Sequence, residues 1–275
     1  PLNIGLLAAY LKQRFGAELN ITLFKSPSQF LQTLKNGSAP QLIAFSNYSW
    51  NQELNRKIMV KAHAIAPDAV LCSGGPHIRT DDQGITDYLR QHREIDFYCM
   101  YEGEIPLGNL VEQFLSRGKF FTKDACDSPV AGVAYLSNNE LVYQPKDFQA
   151  GELENIPSPY LTGWLDDWLH TGEWMPVLET NRGCPYHCTF CVWGISTMDN
   201  VRKFSLDRVK EEIRYVAKKS PSPRWIVADA NFGMLNRDIE IAEEIRYAAD
   251  QFGKLRCALV LWAKNSSSRT QQIAQ

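Results

Sequence analysis

Cys184, Cys188 and Cys191 place three of the chain's seven cysteines within eight residues, spaced C-x3-C-x2-C. Thiolates this close repel one another and oxidise readily, so such a run marks a metal site. The count of three is informative. A closed structural zinc site needs four ligands, whereas an iron–sulfur cluster held by three cysteines leaves one iron with an open position. His187 offers zinc a fourth ligand, since three cysteines and one histidine form an allowed set. Its adjacency to Cys188 makes joint ligation awkward and suits a loop residue better. Spacing alone leaves both metals open.

The run from Glu179 to Cys191 resembles the cluster loop of the radical S-adenosylmethionine (SAM) enzymes, whose motif is C-x3-C-x-aromatic-C, with Phe190 in the aromatic slot. Arg182-Gly183-Cys184-Pro185 and the strand-like Pro176–Thr180 also look like that family. The resemblance implies that the three cysteines bind a [4Fe–4S] cluster, that SAM chelates the open iron, and that the reduced cluster cleaves SAM to a 5′-deoxyadenosyl radical.

Elements on either side must position this loop. A strand is expected over 176–180, a helix from Ser205 to Lys219, a strand and exit loop over 225–233, a helix from Asp238 to Phe252, and a strand from Leu255 to Ala263. This β-α-β-α-β series looks like the first half of the partial (β/α)6 barrel of radical SAM enzymes. In barrels the chemistry sits at the carboxyl ends of the strands. The family uses the second-strand loop to bind the SAM amino group, often with a G-G-E signature. Here that slot reads Asp229-Ala230-Asn231, so Asp229 and Asn231 are the SAM candidates, with capping and turn formation as the plainer role. Trp262-Ala263-Lys264-Asn265 ends the third strand and either faces the site or is solvated.

The first ~120 residues alternate in the same way: helix 2–15, strand 20–24, helix from Ser26-Pro27, strand 41–46, helix through Ile58 and Ile65, strand 69–72, helix 85–91, strand 96–100, helix through Leu110 and Phe114. The pattern predicts a Rossmann-like, doubly wound parallel sheet, which takes ligands at the carboxyl ends of its strands. Those ends carry Ser46-Asn47-Tyr48-Ser49-Trp50, Ser73-Gly74-Gly75-Pro76-His77 and Glu102-Gly103. Paired glycines let backbone approach a flat ligand closely. The three loops resemble the cobalamin-binding domain that precedes the barrel in one radical SAM subclass, with Ser46 in the serine turn and Gly74-Gly75 as the glycine pair. The turn departs from S-x-L, reading Ser46-Asn47-Tyr48, and no D-x-H-x-x-G motif is present. The resemblance implies cobalamin contacts from Ser46, Asn47, Tyr48, Trp50, Gly74, Gly75, Pro76, Glu102 and Gly103. His77 fits packing better than axial ligation. A nucleotide- or flavin-binding domain, or one with no ligand, would read alike from the glycine pair alone.

The domain plan is thus 1–125 cobalamin-binding-like, 126–174 hairpin and linker, and 175–275 radical SAM. The hairpin is expected from Val130–Tyr135 and Glu140–Tyr143, and Trp164, Trp168 and Trp174 are expected to pack a hydrophobic seam. Starting at Pro1 in a helix and stopping at Gln275 in a polar run, the chain reads as a fragment whose first strand lies upstream. A net charge of −2 carries no nucleic-acid footprint, and no apolar run reaches a membrane span. Scattered, odd-numbered cysteines suit reduced thiols in the cytoplasm, with Cys72 and Cys257 as small core residues.

The resemblance implies an enzyme using a [4Fe–4S] cluster, SAM and cobalamin to methylate an unactivated carbon of a small-molecule or peptide substrate, fed by an electron donor such as flavodoxin or ferredoxin. Ring contraction, cyclisation or another rearrangement is the alternative reaction. A non-catalytic fragment that keeps only the binding fold is the alternative of another class.

Overall fold

The computed structural model describes residues 1–37, 39–126, 128–144, 152–191, 200–265 and 267–275. The described chain separates into two compact units, Tyr10–Gly151 and Pro1–Ala9 with Glu152–Gln275. The opening helix α1 (Leu2–Phe15) is shared between them.

In the first unit, α2 (Pro27–Asn36) starts where Ser26 Oγ accepts from the Gln29 N–H and Pro27 presets the first helical turn. There follow β1 (Leu42–Ser46), α3 (Gln52–Ile65), β2 (Val70–Gly74), α4 (Asp82–Gln91), β3 (Phe97–Cys99) and α5 (Glu104–Ser116). Strands β1, β2 and β3 are parallel neighbours in that order. Successive residues of a strand point to opposite faces, and both faces here are apolar. Tyr98 joins Ile43 and Leu71 in a core with Leu34, Met59, Ala62, Ile85 and Leu89 from α2, α3 and α4. Phe97 points the other way, its ring 6.0 Å from Phe114 of α5 and 5.3 Å from Tyr135. Helices therefore cover both faces, and the fold is mixed α/β as expected.

The hairpin strands β4 (Val133–Ser137) and β5 (Glu140–Val142) are part of this sheet rather than a linker. β4 pairs antiparallel with β3, and β5 with β4, giving the order β1-β2-β3-β4-β5. The hairpin thus covers an edge of β3 that would otherwise expose unpaired backbone groups. The strand expected over 20–24 does not form. Phe24 instead packs edge-on against Phe30 of α2, 5.4 Å between centroids, so its apolar side is buried without a ladder.

The second unit runs α6 (Asp166–Leu169), β6 (Val177–Leu178), β7 (Asn181–Arg182), β8 (Arg202–Lys203), α7 (Leu206–Lys219), β9 (Arg224–Phe232), α8 (Asp238–Phe252), β10 (Cys257–Trp262) and α9 (Ser267–Ala274). β6, β9 and β10 are parallel in the order β10-β9-β6. α7 and α8 are tied by a bidentate Arg214–Glu244 pair at 2.7 and 2.9 Å. Trp225, Leu178, Ile213, Val216 and Ile241 are buried at its centre.

Three smaller expectations change. Cys257 is exposed, because it opens β10 at the border of the three-stranded sheet. Trp164 and Trp168 are half-buried, and Trp174 is 42% exposed. Ser205 makes no side-chain cap to α7; its backbone N–H donates to Glu154 Oε1 instead. No described helix is long and apolar enough to cross a membrane.

Candidate functional site

The cluster loop leaves the sheet at the carboxyl end of β6 and is gripped at its base. β7 pairs antiparallel with β8, Asn181 opposite Lys203 and Arg182 opposite Arg202, and the Phe204 N–H donates to Thr180 O at 3.1 Å. Beneath this neck lies Asp229, fully buried in β9. Its Oδ1 accepts from the backbone N–H of Thr180 at 2.7 Å and of Asn181 at 3.3 Å. Its Oδ2 accepts from Asn181 Nδ2 at 2.7 Å and from the Thr180 hydroxyl. Burial pushes its carboxyl up to about 7, against donors that pull it down. With both oxygens used this way, Asp229 latches the base of the loop.

Asn231 lies on the same side of β9, two residues on. Its Nδ2 donates to Cys184 Sγ at 3.1 Å, and both residues are buried. That bond fixes the amide orientation and leaves Oδ1 buried without a partner among the described residues. A buried orphan carbonyl beside a cysteine thiol is an acceptor awaiting a donor. Cys188 is half-buried and receives Lys264 Nζ at 2.9 Å, while the Cys191 N–H donates to Cys188 O at 3.0 Å. Lys264 also lies 5.2 Å over the Tyr186 ring. Its ammonium is held up above its ordinary range by the bond to Cys188, then by the fields of Cys188, Cys184 and Cys191. All three thiols therefore share one neighbourhood, although among the described residues no three acidic, histidine or cysteine groups close on a metal-ligating geometry. Phe190 is almost fully exposed, and His187 is exposed.

The donor chemistry suits an iron–sulfur cluster: three thiols on one loop, Cys188 beside an ammonium and Cys184 beside an amide donor, with an acceptor next to it that is unfilled among the described residues. After Asn231 the loop is closed by Asp238, whose Oδ2 accepts from the N–H groups of Gly233 and Leu235. Asp238 thus ties the turn, Asn231 O takes part in it by accepting from the Met234 N–H at 3.2 Å, and α8 has no side-chain cap.

The other candidate loops meet at the carboxyl ends of β1 and β2. Asn47 is buried and joins them. Its N–H donates to Gly74 O at 2.7 Å, its O accepts from the His77 N–H at 3.3 Å, and its Nδ2 reaches His77 O at 3.0 Å and Tyr98 Oη at 2.8 Å. Tyr98 Oη in turn donates to Gly75 O at 2.7 Å. Gly75 has φ +141°, and a Cβ there would sit 2.3 Å from Asn47 O, so only glycine fits. Ser46 Oγ accepts from Asn51 Nδ2, and the Tyr48 N–H donates to Asn51 Oδ1. Tyr48 and Trp50 stack at 4.6 Å, with Trp50 78% exposed. Pro76 and His77 are exposed on the same rim. Glu102 and Gly103 follow β3, whose link to the other two loops runs through Tyr98. Tyr98, Thr180 and Asn181 were missed as organising residues: hydroxyls and amides within apolar or strand-like runs give no sequence signal until their partners are known.

Residues 1–111 match the model of the B12 binding domain. Over its whole length the chain is 33% identical to the cobalamin-dependent radical SAM methyltransferase TokK of Streptomyces tokunonensis and 32% identical to the 2-(S-pantetheinyl)-carbapenam-3-carboxylate methyltransferase of Streptantibioticus cattleyicolor. It spans 40% of the length of each. Among solved structures, the radical SAM methyltransferase TsrM of Kitasatospora setae, with a tryptophan substrate and a SAM analogue bound, superposes with TM-score 0.64 at 14% identity, over 94% of this chain and 51% of that one.

Proposed function

We infer, for a chain that belongs to the cobalamin-binding radical SAM family, that it forms the corrinoid- and cluster-holding portion of a methyltransferase acting on an unactivated carbon. The observation that carries this reading is the presence in one chain of a B12-binding-domain match and of three thiols in the loop that follows β6 of a three-stranded parallel sheet. When bound, the cluster and SAM supply a carbon-centred radical, and the corrinoid supplies the methyl carrier.

The chain's own residues hold and orient. Cys184, Cys188 and Cys191 ligate the cluster, their loop fixed at its neck by Asp229. Asn231 Oδ1 accepts from the SAM amino group, and Phe190 borders the same ligand. Asn47, Gly74 and Gly75 present a backbone surface at the β1 and β2 ends. Ser46 and the Tyr48–Trp50 stack flank it, with Pro76, Glu102 and Gly103 completing the rim toward the corrinoid. A small-molecule or peptide substrate, a cytoplasmic setting and a flavodoxin- or ferredoxin-type reductant complete the proposal.

Anaerobic reconstitution with iron, sulfide and hydroxocobalamin, followed by desalting and a visible spectrum, tests it. Retained thiolate-to-iron and corrinoid absorption support both sites, and the former should vanish in a Cys184→Ala, Cys188→Ala, Cys191→Ala variant. Cluster without corrinoid would refute the corrinoid assignment, and bound zinc with neither would refute the whole reading. Methyl transfer from labelled SAM, against a rearranged product that carries no label, decides the reaction type.

A further inference from the structure

We propose that Lys264 and Asn231 are outer hydrogen-bond donors to the cluster thiolates, acting as positioning residues that raise the cluster's reduction potential. The inference rests on the cluster reading above. Asn231 Nδ2 lies 3.1 Å from Cys184 Sγ, and Lys264 Nζ lies 2.9 Å from Cys188 Sγ. Both are within range of a donor to a thiolate sulfur. A donor drains negative charge from the sulfur it contacts, so it stabilises the state with one more electron. Hydrogen bonds to the sulfurs and solvent exposure are established levers on such potentials.

The two donors differ in kind. Asn231 is neutral, 4% exposed and carried by the rigid end of β9, so its effect is constant. Lys264 is cationic, exposed and set at the end of β10, where its side chain is additionally steadied over the Tyr186 ring. Its field acts partly through solvent and weakens as salt rises. The chain thus applies one fixed and one salt-sensitive increment, each to a different thiolate.

The pair comes from separate strands of one sheet. β9 and β10 are parallel neighbours, and Ala263 N–H donates to Phe232 O at 2.9 Å, which fixes Lys264 relative to Asn231. Each strand therefore delivers one donor to one cysteine of the loop that leaves β6.

The test is an EPR-monitored redox titration, without SAM, of reconstituted wild type, Lys264→Met, Lys264→Arg and Asn231→Leu, at low and high salt. At a fixed solution potential the reduced-to-oxidised ratio should fall about fivefold in Lys264→Met, the scale of one solvent-screened, ordinary-strength hydrogen bond, and recover in Lys264→Arg. High salt should shrink the Lys264 difference and leave the Asn231 difference intact. Lys264 is exposed, so its replacement spares the fold even where Asn231→Leu disturbs it. Variants that assemble clusters of wild-type iron and sulfide content but titrate with the wild type would overturn the inference. Failure of the wild type itself to assemble a cluster would refute the underlying reading instead.

Discussion

The two loop clusters solve opposite problems. At the β1 and β2 ends, the key polar groups of Asn47, Gly75 and Tyr98 are spent on one another, and what remains outward is backbone, a stacked aromatic pair and a proline. At the β6 and β9 ends, the neck is equally locked by Asp229, but the loop above it keeps thiols and the unpartnered Oδ1 of Asn231. The first surface offers shape and the second offers ligating atoms. A ligand recognised by fit needs a stiff, self-satisfied cradle, whereas one recognised by bonds needs open valences on a stiff base.

The comparison breaks first at Gly75. Gly75→Ala forces a Cβ into Asn47 O at a φ that alanine rarely adopts, so we expect a loss of about 3 kcal/mol in urea unfolding together with lost corrinoid retention. Unchanged stability would show that the cradle is pliable. By contrast, Cys188→Ala should abolish the cluster absorption while leaving the apoprotein midpoint within about 0.5 kcal/mol.

Asp229→Ala comes next, at about 2–3 kcal/mol, because it strands the Thr180 and Asn181 donors in a buried site. The latch also makes stability depend on pH. The folded carboxyl sits near 7 instead of the ordinary 3.8, so between those values the folded protein holds a proton that the unfolded chain has released. Stability should therefore fall as pH rises through that window, by at most about 1.4 kcal/mol per pH unit, and level off above about 7. Thermal melts of wild type and Asp229→Ala across roughly pH 5 to 8 should show a steeper fall in the wild type than in the variant. A flat wild-type profile would remove the titrating latch.

Tyr98→Phe should cost about 1–2 kcal/mol, since it leaves Asn47 Nδ2 and Gly75 O without the hydroxyl that bridges them. The smallest effect on stability belongs to Trp50→Ala, within about 0.5 kcal/mol for so exposed a side chain. Its effect should appear as weaker corrinoid retention on desalting. A stability loss larger than that of Tyr98→Phe would place Trp50 in the scaffold rather than on the binding face.

Much of this was legible in the chain itself. Apolar periodicity placed the helices 2–15, 238–252 and the parallel strands around Ile43, Leu71 and Trp225, because burial on one or two faces leaves a regular imprint on residue order. Cysteine spacing located the metal loop, since three thiols in eight residues have few other uses. The glycine pair marked a place where only a missing Cβ allows two loops to touch.

What the sequence could not decide were pairings between residues far apart in it. Asp229 reads as a ligand residue until Thr180 and Asn181 are brought to it, 49 and 48 positions away, and then it is a structural latch. Lys264 reads equally as site-facing or solvated until β10 sets it beside Cys188, 76 positions earlier. The hairpin's place beside β3 follows from which edge was left open, and residues 20–24 form no strand although β1 keeps a free edge. Local chemistry is written in residue type and spacing, but a side chain's role is set by the partner it finds, and only the tertiary structure supplies the partner.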